Sequence, residues 1–185
     1  LYAATKKSNE LVAHSYSHLY KIPSTGLRFF TVYGPWGRPD MALFLFTKAI
    51  LNNESINIFN NGEMIRDFTY IDDIIESISK IIYKKPISNH KFNTDKPIPG
   101  NSWAPYKIFN IGNSKPTNLM DYIQEIENCL GIKAKKNFLP MQAGDVKITS
   151  ADTSALEEWV NFKPSTPISE GVRKFVDWYK TYYQI

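Results

Sequence analysis

The segment Tyr2–Lys6 places a phenol and an ammonium group four residues apart. On a helix, these two side chains lie one turn apart on the same face. A phenol with a pKa of about 10 is a poor base at neutral pH, but a neighbouring ammonium group favours the phenolate and lowers that pKa. The spacing therefore allows general-base chemistry. The same spacing is common on ordinary helix surfaces, so by itself it does not decide between the two interpretations.

Other residues that could do chemistry favour structural interpretations. Asp72 and Asp73 are adjacent and would diverge on a helix, and no histidine or further carboxylate is spaced to complete a metal site with them. Asp72 is instead predicted to cap a helix. The histidines form no recognisable triad or metal cluster: His14, His18 and His90. The sequence therefore predicts no metal centre.

Helices and strands that alternate along the chain must position these side chains. Apolar residues at helical spacing predict helices over 4–19, 41–51, 72–82, 119–130 and 168–183. Short apolar or alternating runs predict strands over 27–33, 55–59, 68–70, 107–111 and 134–138. Several prolines and few periodic apolar residues predict a long surface loop over 84–106. The alternation indicates an α/β fold built around a mainly parallel sheet.

Composition argues against several classes of protein. The net charge is +4, but the 22 basic residues are scattered, which argues against a nucleic-acid-binding surface. No run approaches the roughly 20 apolar residues of a membrane-spanning helix. The single cysteine, Cys129, excludes an intramolecular disulfide framework and fits a reducing cytoplasm. The chain begins at Leu1 rather than Met, and no predicted strand is followed by a glycine-rich dinucleotide fingerprint. A natural start upstream is therefore expected.

Several segments, in order, carry a resemblance to a known family. Arg28–Pro35 is followed by Trp36–Met41 and then by Arg66–Asp73. Together with Tyr2–Lys6, these segments resemble the extended short-chain dehydrogenase/reductase family, specifically its bacterial and plant UDP-glucuronate 4-epimerases. The similarity extends over nearly all 185 residues and includes Gln142–Asp152.

The resemblance implies NAD-dependent epimerisation of UDP-glucuronate to UDP-galacturonate, serving surface polysaccharide synthesis in a bacterium. Tyr2 would remove the proton of the sugar C4 hydroxyl while a hydride moves to NAD. The 4-keto sugar would then rotate, and the hydride would return to its other face. Lys6 would lower the pKa of Tyr2 and bind the nicotinamide ribose. A Ser or Thr upstream of Tyr2 would complete the catalytic set, outside this chain.

The resemblance also implies that Thr31 and Arg38 face the substrate carboxylate. A guanidinium group can hold a carboxylate through two parallel hydrogen bonds, and a hydroxyl group can add another. Taken without the resemblance, Arg38 would be interpreted as a solvated loop residue and Thr31 as the end of a strand.

Three further residues would bind the UDP part of the substrate. The resemblance assigns Arg66 to the diphosphate, Phe59 to the uracil and Asp145 to the ribose hydroxyls. The alternatives are structural. Arg66 could pair with Asp67 or Glu63 on the surface, Phe59 could be a core strand residue, and the Gly-Asp pair ending at Asp145 could form a turn.

The fold implied by the resemblance is the last part of a Rossmann-type parallel sheet plus a smaller α/β substrate-binding domain. The Rossmann-type core would include residues 1–40, about 60–83 and 107–115. The substrate domain would include residues about 41–59, 84–106 and 116–185. The cofactor-binding N-terminal half is absent.

Two expectations and two alternatives follow for activity and assembly. The full-length protein is expected to be a homodimer, and the fragment alone is expected to be inactive. A dehydratase or decarboxylase of the same superfamily is an alternative enzyme. A non-catalytic nucleotide-sugar-binding fragment is the alternative that is not an enzyme.

Overall fold

The computed structural model describes residues 1–185, in which helices and strands alternate. The helices are α1 (Tyr2–Tyr20), α2 (Ala42–Leu51), α3 (Ile71–Ile82), α4 (Leu119–Leu130), α5 (Ser154–Val160) and α6 (Ile168–Tyr183). The strands are β1 (Ser24–Phe29), β2 (Thr31–Tyr33), β3 (Ser55–Ile58), β4 (Ile65–Tyr70), β5 (Tyr106–Ile111), β6 (Pro116–Asn118) and β7 (Lys135–Phe138). The alternation confirms the predicted α/β class. None of the helices combines the length and apolarity needed to cross a bilayer.

Parallel pairing dominates the strand topology. β1 pairs in parallel with β5, and β2 pairs in parallel with β4. Between β1 and β2, Phe30 donates its backbone N–H to the carbonyl of Ile111 at 3.2 Å. One extended segment therefore changes its neighbour from β5 to β4 at this residue. β3 pairs in parallel with β7, and β6 runs antiparallel to β4. Ligands of such sheets bind beyond the carboxyl ends of the parallel strands.

Two apolar cores hold these elements together. The larger core joins α2, α4 and α6 to strands β2–β4, and within it Phe68 stacks on Tyr122 with ring centroids 4.0 Å apart. Ile126 of α4 and Phe175 of α6 are completely buried there. The smaller core packs α3 and α5 on β5, with Leu156 at its centre. Because each such buried side chain contributes about 1.5–3 kcal/mol, α6 is a fixed support for the loops beside it.

The structure corrects several local predictions. Asp72 lies inside the first turn of α3, whose N-cap is Tyr70 without a side-chain hydrogen bond, so the predicted capping role of Asp72 is wrong. Its neighbour Asp73 instead accepts backbone N–H bonds from Ser165 and Thr166 at 3.1 and 2.9 Å. The short elements β6 and α5 were not predicted, because three and seven residues are too few for a periodic pattern.

The long segment 84–105 contains no helix and no strand beyond one isolated bridge, in agreement with the predicted loop. Its Trp103 donates the indole N–H to Nδ1 of His18 at 2.9 Å and packs edge-on against the ring of His14. His18 lies about 24 Å along the helix axis from Tyr2, since each residue of a helix rises about 1.5 Å. Trp103 thus contacts the far end of α1, and membership of this segment in a substrate domain stays a prediction.

Candidate functional site

Tyr2 and Lys6 lie side by side at the exposed N-terminal end of α1. Because α1 leads back to the start of β1, this end of the helix lies near the carboxyl end of that strand. An open groove of about 550 Å³ is lined by Tyr2 and Lys6 from the helix and by Arg28 and Phe29 from the strand. Nζ of Lys6 is 5.3 Å from the centre of the Tyr2 ring, and Tyr2 is 76% exposed. A ligand in the groove could therefore reach the phenol.

An ion pair fixes α1 against β1. Glu10 accepts hydrogen bonds from Nε and Nη2 of Arg28 at 2.6 and 2.8 Å, the bidentate arrangement that guanidinium and carboxylate favour. Tyr106 of β5 donates its hydroxyl to the backbone carbonyl of Glu10 at 2.9 Å. The hydrogen bonds from Arg28, with a further one from Lys7, lower the pKa of Glu10 to about 2. The Glu10 carboxylate therefore stays charged at neutral pH, and its ion pair with Arg28 continues to hold α1 against β1.

The loop after β2 carries Arg38 back to Thr31. Both residues line one small cavity of about 50 Å³, together with Gly34 and Met41. Gly34 has a φ of 145°, and a Cβ at this position would lie 2.5 Å from Cγ2 of Ile71. Only glycine fits such a bend. The fold therefore brings together the two residues that were predicted to face a carboxylate.

Arg38 is exposed but not unpaired. Its Nε donates to Oδ1 of Asp40 at 3.0 Å, and its Nη2 donates to Oδ2 at 2.5 Å. The hydrogen bond and the charge of Asp40 raise the pKa of Arg38, and the phenol of Tyr2 acts in the same direction. The hydrogen bond from Arg38 also lowers the pKa of Asp40. Each charge of this ion pair therefore favours the ionised form of the other.

Trp36 fastens this loop to α6. Its φ of 61° is left-handed, which is uncommon for a residue other than glycine. The indole packs against Trp178 and Tyr182 with ring centroids 5.4 and 5.3 Å apart. Each aromatic pair contributes about 0.5–1.5 kcal/mol, which offsets the strained backbone. Helix α6 thus supports the loop that presents Arg38.

Phe59 begins a short 3-10 turn, Phe59–Gly62, directly after β3 and is half-buried. Asn60 and Asn61 continue the turn with left-handed φ values of 50°, which asparagine tolerates better than most residues. Phe59 lines a groove of about 530 Å³ together with Asp40 and other residues. The alternative of a core strand residue is not supported, because Phe59 lies outside β3 and borders this groove.

Arg66 and Asp145 form an ion pair although 79 positions separate them. Nη2 of Arg66 donates to Oδ1 of Asp145 at 2.9 Å, while Nη1 donates to the carbonyls of Ile65 and Lys147 at 3.0 and 3.2 Å. Arg66 pairs with neither acidic neighbour named by the alternative interpretation, and Glu63 pairs with Lys147 instead at 3.2 Å. The structure thus joins a residue predicted to bind diphosphate to one predicted to bind ribose.

Asp67 is an organising residue that sequence reasoning missed. It is fully buried, and its carboxylate accepts backbone N–H bonds from Asn113, Ser114 and Ala151 at 2.8, 3.0 and 2.9 Å. These amides belong to the loop after β5 and to the segment that follows Asp145. A carboxylate next to Phe68, within the segment that forms β4, was the available signal, because a buried charge requires partners.

The predicted site residues occupy several grooves rather than one enclosed pocket. Three pairs are brought together: Tyr2 with Lys6, Thr31 with Arg38, and Arg66 with Asp145. No three histidine, cysteine, aspartate or glutamate side chains converge to hold a metal ion. The arrangement offers two guanidinium groups for anions and one phenol–ammonium pair for proton transfer.

Comparison with known proteins places these features in a family. Residues 1–94 match the family model described as NAD dependent epimerase/dehydratase family. Protein CapI of Staphylococcus aureus is 58% identical over 184 residues, which cover 100% of this chain and 55% of that protein. A probable UDP-glucuronate 4-epimerase of Rhizobium meliloti (strain 1021) is 50% identical over 185 residues, covering 100% of this chain and 54% of that protein. The chain spans about half the length of the curated relatives it matches.

A solved structure shares the fold over almost the whole chain. The crystal structure of UDP-glucuronic acid 4-epimerase from Bacillus cereus, in complex with UDP-glucuronic acid and NAD, is 35% identical and has a TM-score of 0.82. The match covers 98% of this chain and 53% of that chain. The predicted α/β fold with a Rossmann-type parallel sheet is therefore confirmed.

Proposed function

Because the chain belongs to the NAD dependent epimerase/dehydratase family, we propose that the whole protein, of which this chain forms one half, converts UDP-glucuronate to UDP-galacturonate. The observation that carries the proposal is the position of Tyr2 and Lys6 together at the carboxyl end of β1. Ligands of parallel α/β sheets bind at this edge. The relatives named as UDP-glucuronate 4-epimerases support the choice of the uronate.

The residues present fit one edge of an NAD site. Tyr2 and Lys6 border an open groove, and the Lys6 ammonium can donate hydrogen bonds to ribose hydroxyls. When bound, NAD supplies reversible hydride transfer. No glycine-rich fingerprint occurs in the chain, so most of the cofactor site would belong to the rest of the whole protein. For the same reason, the 185-residue chain alone is expected to be inactive.

Tyr2 would act as the general base toward the C4 hydroxyl of the sugar. The Lys6 ammonium lies 5.3 Å from the centre of the Tyr2 ring, so the two side chains that the proton transfer would use are neighbours. The hydroxyl proton passes to the Tyr2 oxygen as C4 is oxidised to a ketone. After the 4-keto sugar has rotated within the site, the proton returns from Tyr2 as C4 is reduced on its other face. Only the configuration at C4 has then changed.

Thr31 and Arg38 would recognise the carboxylate of the sugar. The bidentate bond between Arg38 and Asp40 has the geometry that a uronate carboxylate requires. Thr31 lines the same cavity as Arg38 and can donate its hydroxyl to the same group. A neutral sugar offers no charge to Arg38. Thr31 and Arg38 would therefore discriminate between a uronate and a neutral sugar.

Phe59, Arg66 and Asp145 would hold the UDP part. Phe59 borders an open groove of about 530 Å³, and an aromatic ring can stack on a flat base. Arg66 carries a guanidinium group suited to the diphosphate. Both hydrogen bonds to the Asp145 carboxylate reach Oδ1, which leaves Oδ2 to accept a bond from a ribose hydroxyl.

An assay of the whole protein tests this proposal. UDP-glucuronate, UDP-glucose and UDP-N-acetylglucosamine would be incubated separately with the protein and NAD, and the 4-epimers separated by chromatography. Conversion of the uronate alone is the expected result. Conversion of a neutral sugar alone would contradict the choice of substrate, and no conversion of any of the three would contradict the epimerase proposal.

The substitution Arg38→Ala tests the carboxylate site. We expect it to weaken binding of UDP-glucuronate by about 10–100-fold, because the carboxylate loses a charged hydrogen-bond partner. Binding of UDP-glucose should change by no more than about threefold. Titration calorimetry of the whole protein measures both affinities. The matched control is Arg173→Ala, which removes an exposed arginine of α6. Equal losses for the two ligands would contradict the assignment of Arg38 to a uronate.

We also propose that the whole protein forms a homodimer through α1. One face of α1 exposes four apolar side chains that are between 56% and 66% accessible: Leu11, Val12, Tyr16 and Leu19. Covering such a face stabilises association by about 25 cal/mol per Å² of apolar surface removed from water. Light scattering of the whole protein is expected to give twice the mass of one full-length polypeptide. A monomeric mass at micromolar concentration would contradict the proposal.

A further inference from the structure

The guanidinium group of Arg38 already holds a carboxylate that belongs to the protein. Both oxygens of Asp40 accept hydrogen bonds from it, at 3.0 and 2.5 Å. Only Pro39 separates the two residues, so the pair forms within one short loop. This is the two-bond arrangement that an arginine makes with a free carboxylate. A uronate that binds Arg38 through the same Nε and Nη2 donors must displace Asp40.

The position of Asp40 relates this pair to the rest of the proposed substrate site. Arg38 lines the small cavity that contains Thr31. Asp40 lines the larger groove that contains Phe59 and Lys48. Asp40 therefore lies between the residues proposed for the sugar carboxylate and the residue proposed for the uracil. When displaced from Arg38, the Asp40 carboxylate can turn toward this open groove and its Lys48.

The Arg38–Asp40 ion pair can open at a low cost in free energy, so that another carboxylate can replace Asp40. The side chains of Arg38 and Asp40 are 74% and 63% exposed, so water can solvate each charge as the pair opens. Exposed ion pairs are weak for this reason. Trp36 anchors the same loop on α6 through contacts with Trp178 and Tyr182, so we expect the pair to open by rotation of the two side chains.

We propose that Asp40 is a specificity-determining residue that competes with the substrate carboxylate for Arg38. The inference rests on the proposed function, since it assumes that Arg38 binds a uronate. A neutral UDP-sugar leaves the Arg38–Asp40 pair intact and loses nothing. A UDP-uronate that binds through Nε and Nη2 must break the pair, so Asp40 lowers the affinity for uronates and reduces the preference of the site for uronates over neutral sugars.

The test is Asp40→Asn in the whole protein, which keeps the shape of the side chain but removes its charge. Binding would be measured by titration calorimetry in a Tyr2→Phe background, so that no turnover occurs. UDP-glucuronate is expected to bind about 2–5-fold tighter, the range set by a weak exposed pair, and UDP-glucose to change by less than about 1.5-fold. Asp95→Asn, which removes an exposed charge in the 84–105 segment, controls for net charge.

A second comparison ties the effect to Arg38. In an Arg38→Ala background, Asp40→Asn is expected to leave the affinity for UDP-glucuronate unchanged. Weaker or unchanged uronate binding in Asp40→Asn alone would overturn the proposal, and so would an equal gain for both ligands. If Arg38→Ala does not weaken uronate binding, the proposed function itself fails. If Arg38→Ala weakens it and Asp40→Asn has no effect, only the role of Asp40 fails.

Discussion

Replacing Tyr2 by phenylalanine in the whole protein is expected to lower kcat for UDP-glucuronate by about 10²–10⁴-fold, the range that a positioned general base contributes. The variant keeps an aromatic ring beside Lys6 but removes the oxygen that would take the C4 proton. The affinity for UDP should stay within about twofold of the original, since no contact proposed for uridine or diphosphate involves Tyr2. Chromatography of the 4-epimers gives kcat, and titration calorimetry with UDP gives the affinity.

Tyr20→Phe is the matched control, because Tyr20 is an exposed tyrosine at the other end of the same helix. Its kcat should be unchanged. Undiminished turnover in Tyr2→Phe would remove Tyr2 from the mechanism. A loss of kcat accompanied by an equal loss of UDP affinity would indicate a distorted site rather than a missing base.

Helices could be predicted where one segment contains both the apolar periodicity and the residue that ends the helix. Helices α4 and α6 have the predicted bounds, Leu119–Leu130 and Ile168–Tyr183, and Gly131 ends α4 with a left-handed φ of 70°. The strand predicted over 27–33 is interrupted at Phe30. That interruption depends on the two neighbouring strands, β5 and β4, which no local pattern can reveal.

The pairing of site residues depends on distant parts of the chain. Arg66 meets Asp145 because β4 hydrogen-bonds to the segment after Asp145: Ile65 donates to Lys147 at 3.0 Å, and Thr149 donates to Ile65 at 3.1 Å. The family resemblance suggested both residues for one ligand, but no sequence pattern predicted their mutual bond. The bond between Arg38 and Asp40 is different, because the two residues are only two positions apart and a local arginine–aspartate pattern could have indicated it.

The spacing of apolar residues predicted that α1 is a helix, but it did not predict which surface covers the apolar face of that helix. Leu11, Val12 and Tyr16 have helical spacing, yet more than half of each side chain faces water in this chain. A repeat identifies one face of a helix as apolar, whereas burial of that face depends on a partner surface. For this reason the assembly of the whole protein is a separate proposal with its own test.

Asp67 makes the geometry around the Arg66–Asp145 pair depend on one buried charge. An isolated carboxylate inside a protein costs several kcal/mol or more, and three backbone N–H groups within 3.0 Å offset that cost here. The segments that it joins are in close contact. A Cβ on Gly112 would lie 2.4 Å from Cβ of Ala151, so both the charge and the missing side chain are needed to bring these segments together.

The substitution Asp67→Ala is therefore expected to lower the free energy of unfolding of the whole protein by about 3–5 kcal/mol, because three buried amides lose a charged acceptor. Affinity for UDP should fall as well, since the segment that presents Asp145 loses the bond from Ala151 to Asp67, one of its attachments to β4. Urea unfolding followed by tryptophan fluorescence measures the first effect, and titration calorimetry measures the second. Asp72→Ala, which removes an exposed carboxylate of α3, should change stability by no more than about 0.5 kcal/mol. If Asp67→Ala unfolds like this control, the carboxylate does not hold the segments together, and their backbone hydrogen bonds and apolar contacts must do so.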